Sequence, residues 1–409
     1  MPAAPKIDFV YFDAGGGHRS AATALQAVIA SEGYGWDVRL VNLQEVLDPL
    51  DIFRKVTGVR LQDLYNRMLA RGLTWGAEYW LPMMQQVIRL YHRPSIQLLA
   101  DFWRDRQPDM VVSLVPNLNR ALFESLELAC PGIPYVTILT DLADYPPHFW
   151  MEKQPQYFIC GTPYAARQAE KLGAFQERVS GMILRPHFYA DEPMDRAAAR
   201  RRLGLAENLP TGLVLFGGEG SNAMFSLARR LGNSGMDLQL IMLCGRNQKL
   251  MERLQRLKTR NKIHVEGFTK QVPYYMRLAD FFIGKPGPGS ISEALHMGLP
   301  VIVESNSWTL PQERYNAQWL RENGYGIVLD NLRKVEGAVK ELIIGGQISK
   351  VKEEISSVNN RAVYEIPLIL QRILRESGWE VKRESQAMNV SDSGGSVHAG
   401  LADKDSSRS

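Results

Sequence analysis

Short apolar runs separated by amphipathic stretches recur along almost the whole chain. In the first half, Ile7 to Phe12, Val38 to Val41, Met110 to Leu114, Tyr135 to Leu139 and Tyr157 to Cys160 read as buried strands, with helical patterns between them. In the second half the same reading covers Gly212 to Phe216, Leu238 to Leu243, Ile263 to Glu266, Phe281 to Ile283, Val301 to Val303 and Gly326 to Leu329. Alternation of this kind predicts parallel sheets covered on both faces by helices, here as two doubly wound α/β domains in tandem. The join is expected between Arg185 and Pro210, where prolines and Asn208 interrupt the pattern. One stretch breaks the rhythm. Leu61 to Leu99 reads as a long helical segment with Trp75, Tyr79, Trp80 and a break at Pro82. From about Glu380 the chain is rich in Ser, Gly and Asp, which predicts a disordered tail over 380–409.

A chain of 409 residues exceeds one ordinary core, so two domains also follow from length. The net charge of +4 is too mild for a nucleic-acid binder, but the basic residues are uneven: Arg196, Arg200, Arg201 and Arg202 cluster, and Arg246 to Lys262 carries seven Lys or Arg. These patches suit phosphates or an anionic membrane, or are solvated helix faces. Three cysteines without metal-site spacing predict a reducing compartment and no structural zinc. With strand pattern from Ile7, no leader peptide is expected, and no apolar run reaches bilayer length.

Two glycine-rich corners carry the candidate chemistry. Asp13 to Ala22 contains Gly15-Gly16-Gly17-His18, and Gly284 to Glu293 contains Gly287, Gly289 and Ser290; each follows a strand-like run and opens a helix-like one. Backbone N–H groups at such helix starts favour anions. The first corner departs from a dinucleotide fingerprint, because the third glycine falls at Ser20 and the second strand ends in Val41-Asn42 without an acid. The second lacks the phosphate-binding lysine of a P-loop at Ser290. His18 is either an ordinary helix-start histidine or a base near an acceptor hydroxyl. Glu293 either completes a capping box with Ser290 or accepts the two hydroxyls of a ribose.

Taken in order, Gly-Gly-Gly-His-Arg-Ser, Thr140-Asp141-Leu142, Leu184-Arg185-Pro186-His187-Phe188, Phe216-Gly217-Gly218-Glu219-Gly220-Ser221, Gly284 to Glu293, Gly298-Leu299-Pro300 and Pro311-Gln312-Glu313-x-x-Asn316 resemble the motifs of monogalactosyldiacylglycerol synthases and processive diacylglycerol glycosyltransferases. More distantly the chain is similar to peptidoglycan glycosyltransferases of the MurG type. The resemblance spans roughly residues 7 to 375. It implies a GT-B fold with an acceptor domain over 1–190, a nucleotide-sugar domain over 191–355, an interdomain cleft, and a helix over 356–379 that crosses back.

The resemblance also implies roles. Glu293 would bind the donor ribose, and Gln312, Glu313 and Asn316 the sugar hydroxyls. Gly217, Gly218, Gly220 and Ser221 would cradle the diphosphate, Arg185 would neutralise it, and Phe268 would flank uracil through its backbone. Gly287, Gly289 and Ser290 belong to the same donor site, and Gly15, Gly16 and Gly17 to an acceptor-side phosphate corner. His18 is the candidate base, with Asp141 as the alternative, and inversion at the anomeric carbon is implied.

The expected donor is UDP-galactose or UDP-glucose, with no tightly bound cofactor and no essential metal, since helix-start N–H groups and Arg185 can carry the leaving-group charge. The expected acceptor is a lipid, diacylglycerol first, met at an anionic membrane by Trp75, Tyr79 and Trp80. The implied place is cytoplasmic, peripheral on the inner face of a bacterial cell membrane. A transferase of N-acetylglucosamine to a polyprenyl-linked acceptor, a UDP-sugar 2-epimerase and a non-catalytic binding module remain open. So do Lys285-Pro286-Gly287-Pro288 and Trp308-Thr309-Leu310, where the chain departs from the family pattern.

Overall fold

The computed structural model describes residues 4–13, 16–50 and 91–378. Gly15, the stretch 51–90 with Trp75, Tyr79 and Trp80, and the segment 379–409 lie outside the described residues. The first sheet contains β1 (Lys6–Tyr11), β2 (Asp37–Asn42), β3 (Met110–Ser113), β4 (Tyr135–Ile138), β5 (Tyr157–Cys160) and β6 (Phe175–Arg178). All pairs are parallel, in the order β2-β1-β3-β4-β5-β6. Its helices are α1 (Gly17–Ser31), α2 (Leu43–Leu47), α3 (His92–Arg106), α4 (Asn119–Ala129) and α5 (Pro163–Lys171).

The second sheet follows helix α6 (Arg196–Arg202) and has β7 (Thr211–Leu215), β8 (Gln239–Leu243), β9 (Ile263–Glu266), β10 (Phe281–Gly284), β11 (Val301–Glu304) and β12 (Gly326–Leu329). The order is β12-β11-β10-β7-β8-β9, again all parallel. Between and after these strands run α7 (Ala223–Gly232), α8 (Gln248–Gln255), α9 (Val272–Leu278), α10 (Pro288–His296), α11 (Pro311–Glu322), α12 (Val335–Ile343), α13 (Gln347–Ser356) and α14 (Ala362–Glu376).

The apolar runs became strands because parallel sheets covered on both faces bury every residue of a strand: β3, β4, β8 and β10 are buried throughout. The exception is β6. Its sequence Phe-Gln-Glu-Arg is an edge strand with Phe175 70% exposed, so no hydrophobic run announced it. Helix α14 leaves the second domain and buries Ala362, Val363, Ile366, Leu370, Ile373 and Leu374 in one core with Leu25, Val28 and Ile29 of α1. Each large aliphatic side chain so buried contributes roughly 1.5–3 kcal/mol. Among the described residues, no helix is long and apolar enough to cross a membrane.

The arginine cluster of the join takes its bland reading in part. Arg196 and Arg200 both pair with Asp280, at 2.6 and 2.8 Å, and Arg200 also donates to the Leu278 and Glu207 carbonyls. These two side chains fasten α6 to the start of β10.

Candidate active site between the two domains

In an open parallel sheet, ligands bind beyond the carboxyl ends of the strands where the strand order reverses. That point lies between β1 and β3 in the first sheet and between β7 and β10 in the second. The loop after β1 is the Gly16-Gly17-His18 corner, and the loops after β7 and β10 are Phe216 to Ser221 and Lys285 to Gly287. Every glycine corner singled out in the sequence therefore sits at a reversal point.

On the first-domain wall, Gly16 caps α1 with a left-handed backbone (φ 79°) and Gly17 begins the helix, which sets His18 in its first turn. His18 Nδ1 lies 3.0 Å from the Thr140 hydroxyl, beyond the end of β4. Burial lowers the imidazole pKa to about 4, and the Leu114 backbone, which favours the charged ring, offsets only part of this. The next residue, Asp141, is buried and accepts a hydrogen bond from Trp150 Nε1 at 2.8 Å. Desolvation raises its carboxyl to about 7 against the indole bond that lowers it, with Glu313 and Asp144 pushing further upward. Trp150 also stands beside His18, ring centroids 5.8 Å apart.

The second-domain wall starts at the glycine loop after β7. Gly217 and Gly220 have φ of 78° and 62°, and a Cβ on Gly220 would lie 2.5 Å from the Cys244 carbonyl oxygen. Gly218 accepts from the Arg246 backbone N–H at 2.8 Å, which locks this loop to the one after β8. The Ser221 hydroxyl takes the Ala223 N–H at 3.3 Å at the start of α7. Phe268 is 55% exposed, and the Arg246 guanidinium stands 4.7 Å from its ring centroid.

After β10, Gly287 is the N-cap of α10 without any side-chain cap, Gly289 lies in the first turn beside open space, and Ser290 donates to the Gly287 carbonyl at 3.2 Å. The capping-box alternative therefore falls: Glu293 sits too far into the helix to reach its cap. Instead its Oε1 lies 3.6 Å from Arg185 Nη2 at the domain join. Desolvation raises Glu293 to about 7, opposed by Arg185. In the first turn of α11, Glu313 approaches the loop, since a Cβ on Gly287 would lie 3.8 Å from its Oε1. Burial raises its pKa and Lys285 lowers it. Gln312 is half-buried beside it. Asn316 is fully buried, donates from Nδ2 to the Pro286 carbonyl at 2.9 Å, and leaves Oδ1 without a partner among the described residues. It braces the Lys285-Pro286-Gly287-Pro288 loop from beneath.

The walls meet. Tyr164 of α5 stacks on Tyr315 of α11 at 4.6 Å and 20°, and Leu142, Ala143 and Met182 pack with Tyr315 and Trp319. At the join, His296 lies 3.1 Å from the Phe188 carbonyl through Nε2, and Tyr189 packs on both His296 and Tyr364. Trp150, Tyr164, Tyr189 and Tyr315 were missed in the sequence. Their only signal was an aromatic close to a candidate motif, which is common in any core.

Residues 213–357 match the glycosyltransferase family 28 C-terminal domain. That match runs through the second domain. Across 78% of its length the chain is 30% identical to monogalactosyldiacylglycerol synthase 1 of Arabidopsis thaliana, and across 83% it is 29% identical to the corresponding spinach synthase. It spans 61% and 66% of the lengths of those two relatives. In fold it is similar to MurG from Acinetobacter baumannii, with a TM-score of 0.59 over 90% of this chain and all of that one, at 12% identity. The GT-B architecture and the resemblance to galactolipid synthases are both borne out.

Proposed function

We propose that the chain is a glycosyltransferase that moves a hexose from a UDP-sugar to a lipid hydroxyl, with diacylglycerol as acceptor. The observation that carries this reading is the opposition of His18 and Asp141 on one wall to Glu293 and Glu313 on the other, with Arg185 at the join, at two strand-order reversals joined by one cleft. The second domain's family match and the similarity to the plant synthases support the donor and the acceptor class.

In this reading the UDP ribose lies against Glu293, the diphosphate against the Gly217–Ser221 loop and the start of α7, and the hexose beside Gln312 and Glu313. The acceptor hydroxyl gives its proton to His18 as its oxygen bonds to the anomeric carbon. The bond from that carbon to the diphosphate oxygen breaks, and UDP leaves with the electron pair, its charge met by Arg185 and helix-start N–H groups. In the tautomer whose Nδ1–H donates to the Thr140 hydroxyl, Nε2 holds the lone pair that takes the proton. His18 is neutral at neutral pH, as a base must be, but its burial makes it a weak one. A bound diphosphate and an ionised Asp141 raise its basicity, so the base becomes competent when the donor is present.

The membrane part of the proposal, a peripheral position on an anionic surface, draws support from the similarity to the plant synthases and from the sequence positions of Trp75, Tyr79 and Trp80. Radiolabelled UDP-galactose and UDP-glucose are each incubated with diacylglycerol vesicles, and the lipids are then separated. Label in a hexosyl lipid supports the reading; label recovered only in donor or free sugar refutes it. Sedimentation with anionic vesicles, reversed by salt, tests the surface separately.

A further inference from the structure

We infer that Trp150 is a positioning residue that orients the Asp141 carboxyl and walls the His18 ring, tying the two proton-handling side chains into one unit. The inference rests on the transferase reading and adds to it a residue outside every motif that suggested it. The geometry is specific. The Trp150 side chain is fully buried, its Nε1 donates to Asp141 Oδ2 at 2.8 Å, and its ring centroid is 5.8 Å from that of His18. An indole has one donor and no acceptor, so spending it on Asp141 fixes the ring's orientation along with the carboxyl's.

The indole is itself held. Asp144 Oδ1 accepts the Trp150 backbone N–H at 2.6 Å and its Oδ2 accepts that of His148 at 2.9 Å. Gln168 of α5 clamps Asp144 through both backbone groups, accepting its N–H at 2.9 Å and donating to its carbonyl at 3.0 Å. Asn119 Nδ2 donates to the Trp150 carbonyl at 2.8 Å. Three hydrogen bonds on one residue, through its indole, its backbone N–H and its carbonyl, from a loop and from α4, are more than packing a tryptophan requires. The charged groups that face Asp141 are Asp144 from its own loop and Glu313 from α11, with Lys285 beside Glu313. His18 is reached through the indole. With two carboxylates and no cation among its direct neighbours in the described residues, Asp141 has the indole N–H as the one influence there that favours its ionised form.

The test is Trp150→Phe, which keeps an aromatic wall and removes the donor. Two readouts are taken on the full chain. The acid limb of kcat/KM for UDP-hexose transfer moves upward by about one pH unit in Trp150→Phe. Melting temperatures are measured from pH 5 to pH 9 for wild type, Trp150→Phe, Asp141→Asn and the double variant. The loss caused by Trp150→Phe grows above pH 7 when Asp141 is present and is flat with pH when it is asparagine. A flat loss in both backgrounds, or an unmoved acid limb in an active variant, overturns the inference. Coupling in the melting cycle with no transfer by the wild type keeps the Trp150–Asp141 unit and refutes the reaction assigned to it.

Discussion

Arg185 Nη2 lies 3.6 Å from Glu293 Oε1, and this pair spans the joint between the domains. Arg185 begins the short helical turn Pro186–Tyr189 that leads out of the first domain, whereas Glu293 projects from α10 of the second. Buried polar partners left by a missing group are costly. Glu293→Gln should therefore raise the KM for UDP-hexose by about 10- to 100-fold, with kcat much less affected. Steady-state kinetics with saturating acceptor check this, and an unchanged KM refutes ribose binding by Glu293.

In the proposed reaction Arg185 has the opposite profile, because its charge would be needed most when the diphosphate departs. Arg185→Met should lower kcat by roughly 10²- to 10³-fold with a smaller change in donor KM. Pre-steady-state measurement of UDP release separates the chemical step from binding.

The pH dependence has a definite sign. Asp141 and Glu293 have folded pKa values near 7, above their ordinary values of 3.8 and 4.5, so the stability they contribute is fully present below about pH 4 and is lost as pH rises through 7. His18 runs the other way: lowered from 6.5 to about 4, it penalises the fold as pH falls through that window. Asp141→Asn should thus gain on wild type by a few kcal/mol (order of magnitude) between pH 5 and pH 8. Denaturant titrations at the two pH values measure the difference.

Within the loop after β7, two glycines should respond differently to alanine. Gly217 faces open space despite its φ of 78°, so Gly217→Ala costs about 1 kcal/mol of backbone strain. Gly220 adds a collision with the Cys244 carbonyl, and Gly220→Ala should displace the loop and abolish measurable UDP binding while the first domain stays folded. Calorimetric titration with UDP distinguishes the two.

Tyr164→Ala removes the aromatic stack that fastens the lobes on Tyr315. An aromatic pair of this kind is worth about 0.5–1.5 kcal/mol beyond its buried area. The variant should melt only slightly earlier, yet show a larger radius of gyration by small-angle scattering and weaker donor saturation, because Tyr315 sits between Glu313 and Asn316 in α11.

Eleven of the twelve strands were legible in the sequence, because a strand buried on both faces must be an apolar run, and the twelfth, β6, was not because an edge strand can be polar. The glycine corners and Glu293 were legible through their fixed local spacing. Asn316 was assigned to sugar hydroxyls, and the structure gives its amide to the Pro286 carbonyl, a contact 30 residues away that no local pattern encodes. The Trp150 contacts and the Tyr164–Tyr315 stack were hidden for the same reason: they join segments brought together only by the fold.

Where the chain passes from the first domain to the second it is accompanied by its own return. Asn360 Nδ2 donates to the Met182 carbonyl, Arg361 N–H to the Ser180 hydroxyl, and Ser180 N–H to the Glu365 carboxylate, so outgoing and incoming backbones run clasped together. A single tether would let the lobes swivel freely. A doubled one acts like a book's spine, restricting that swivel so that the facing pages keep their register.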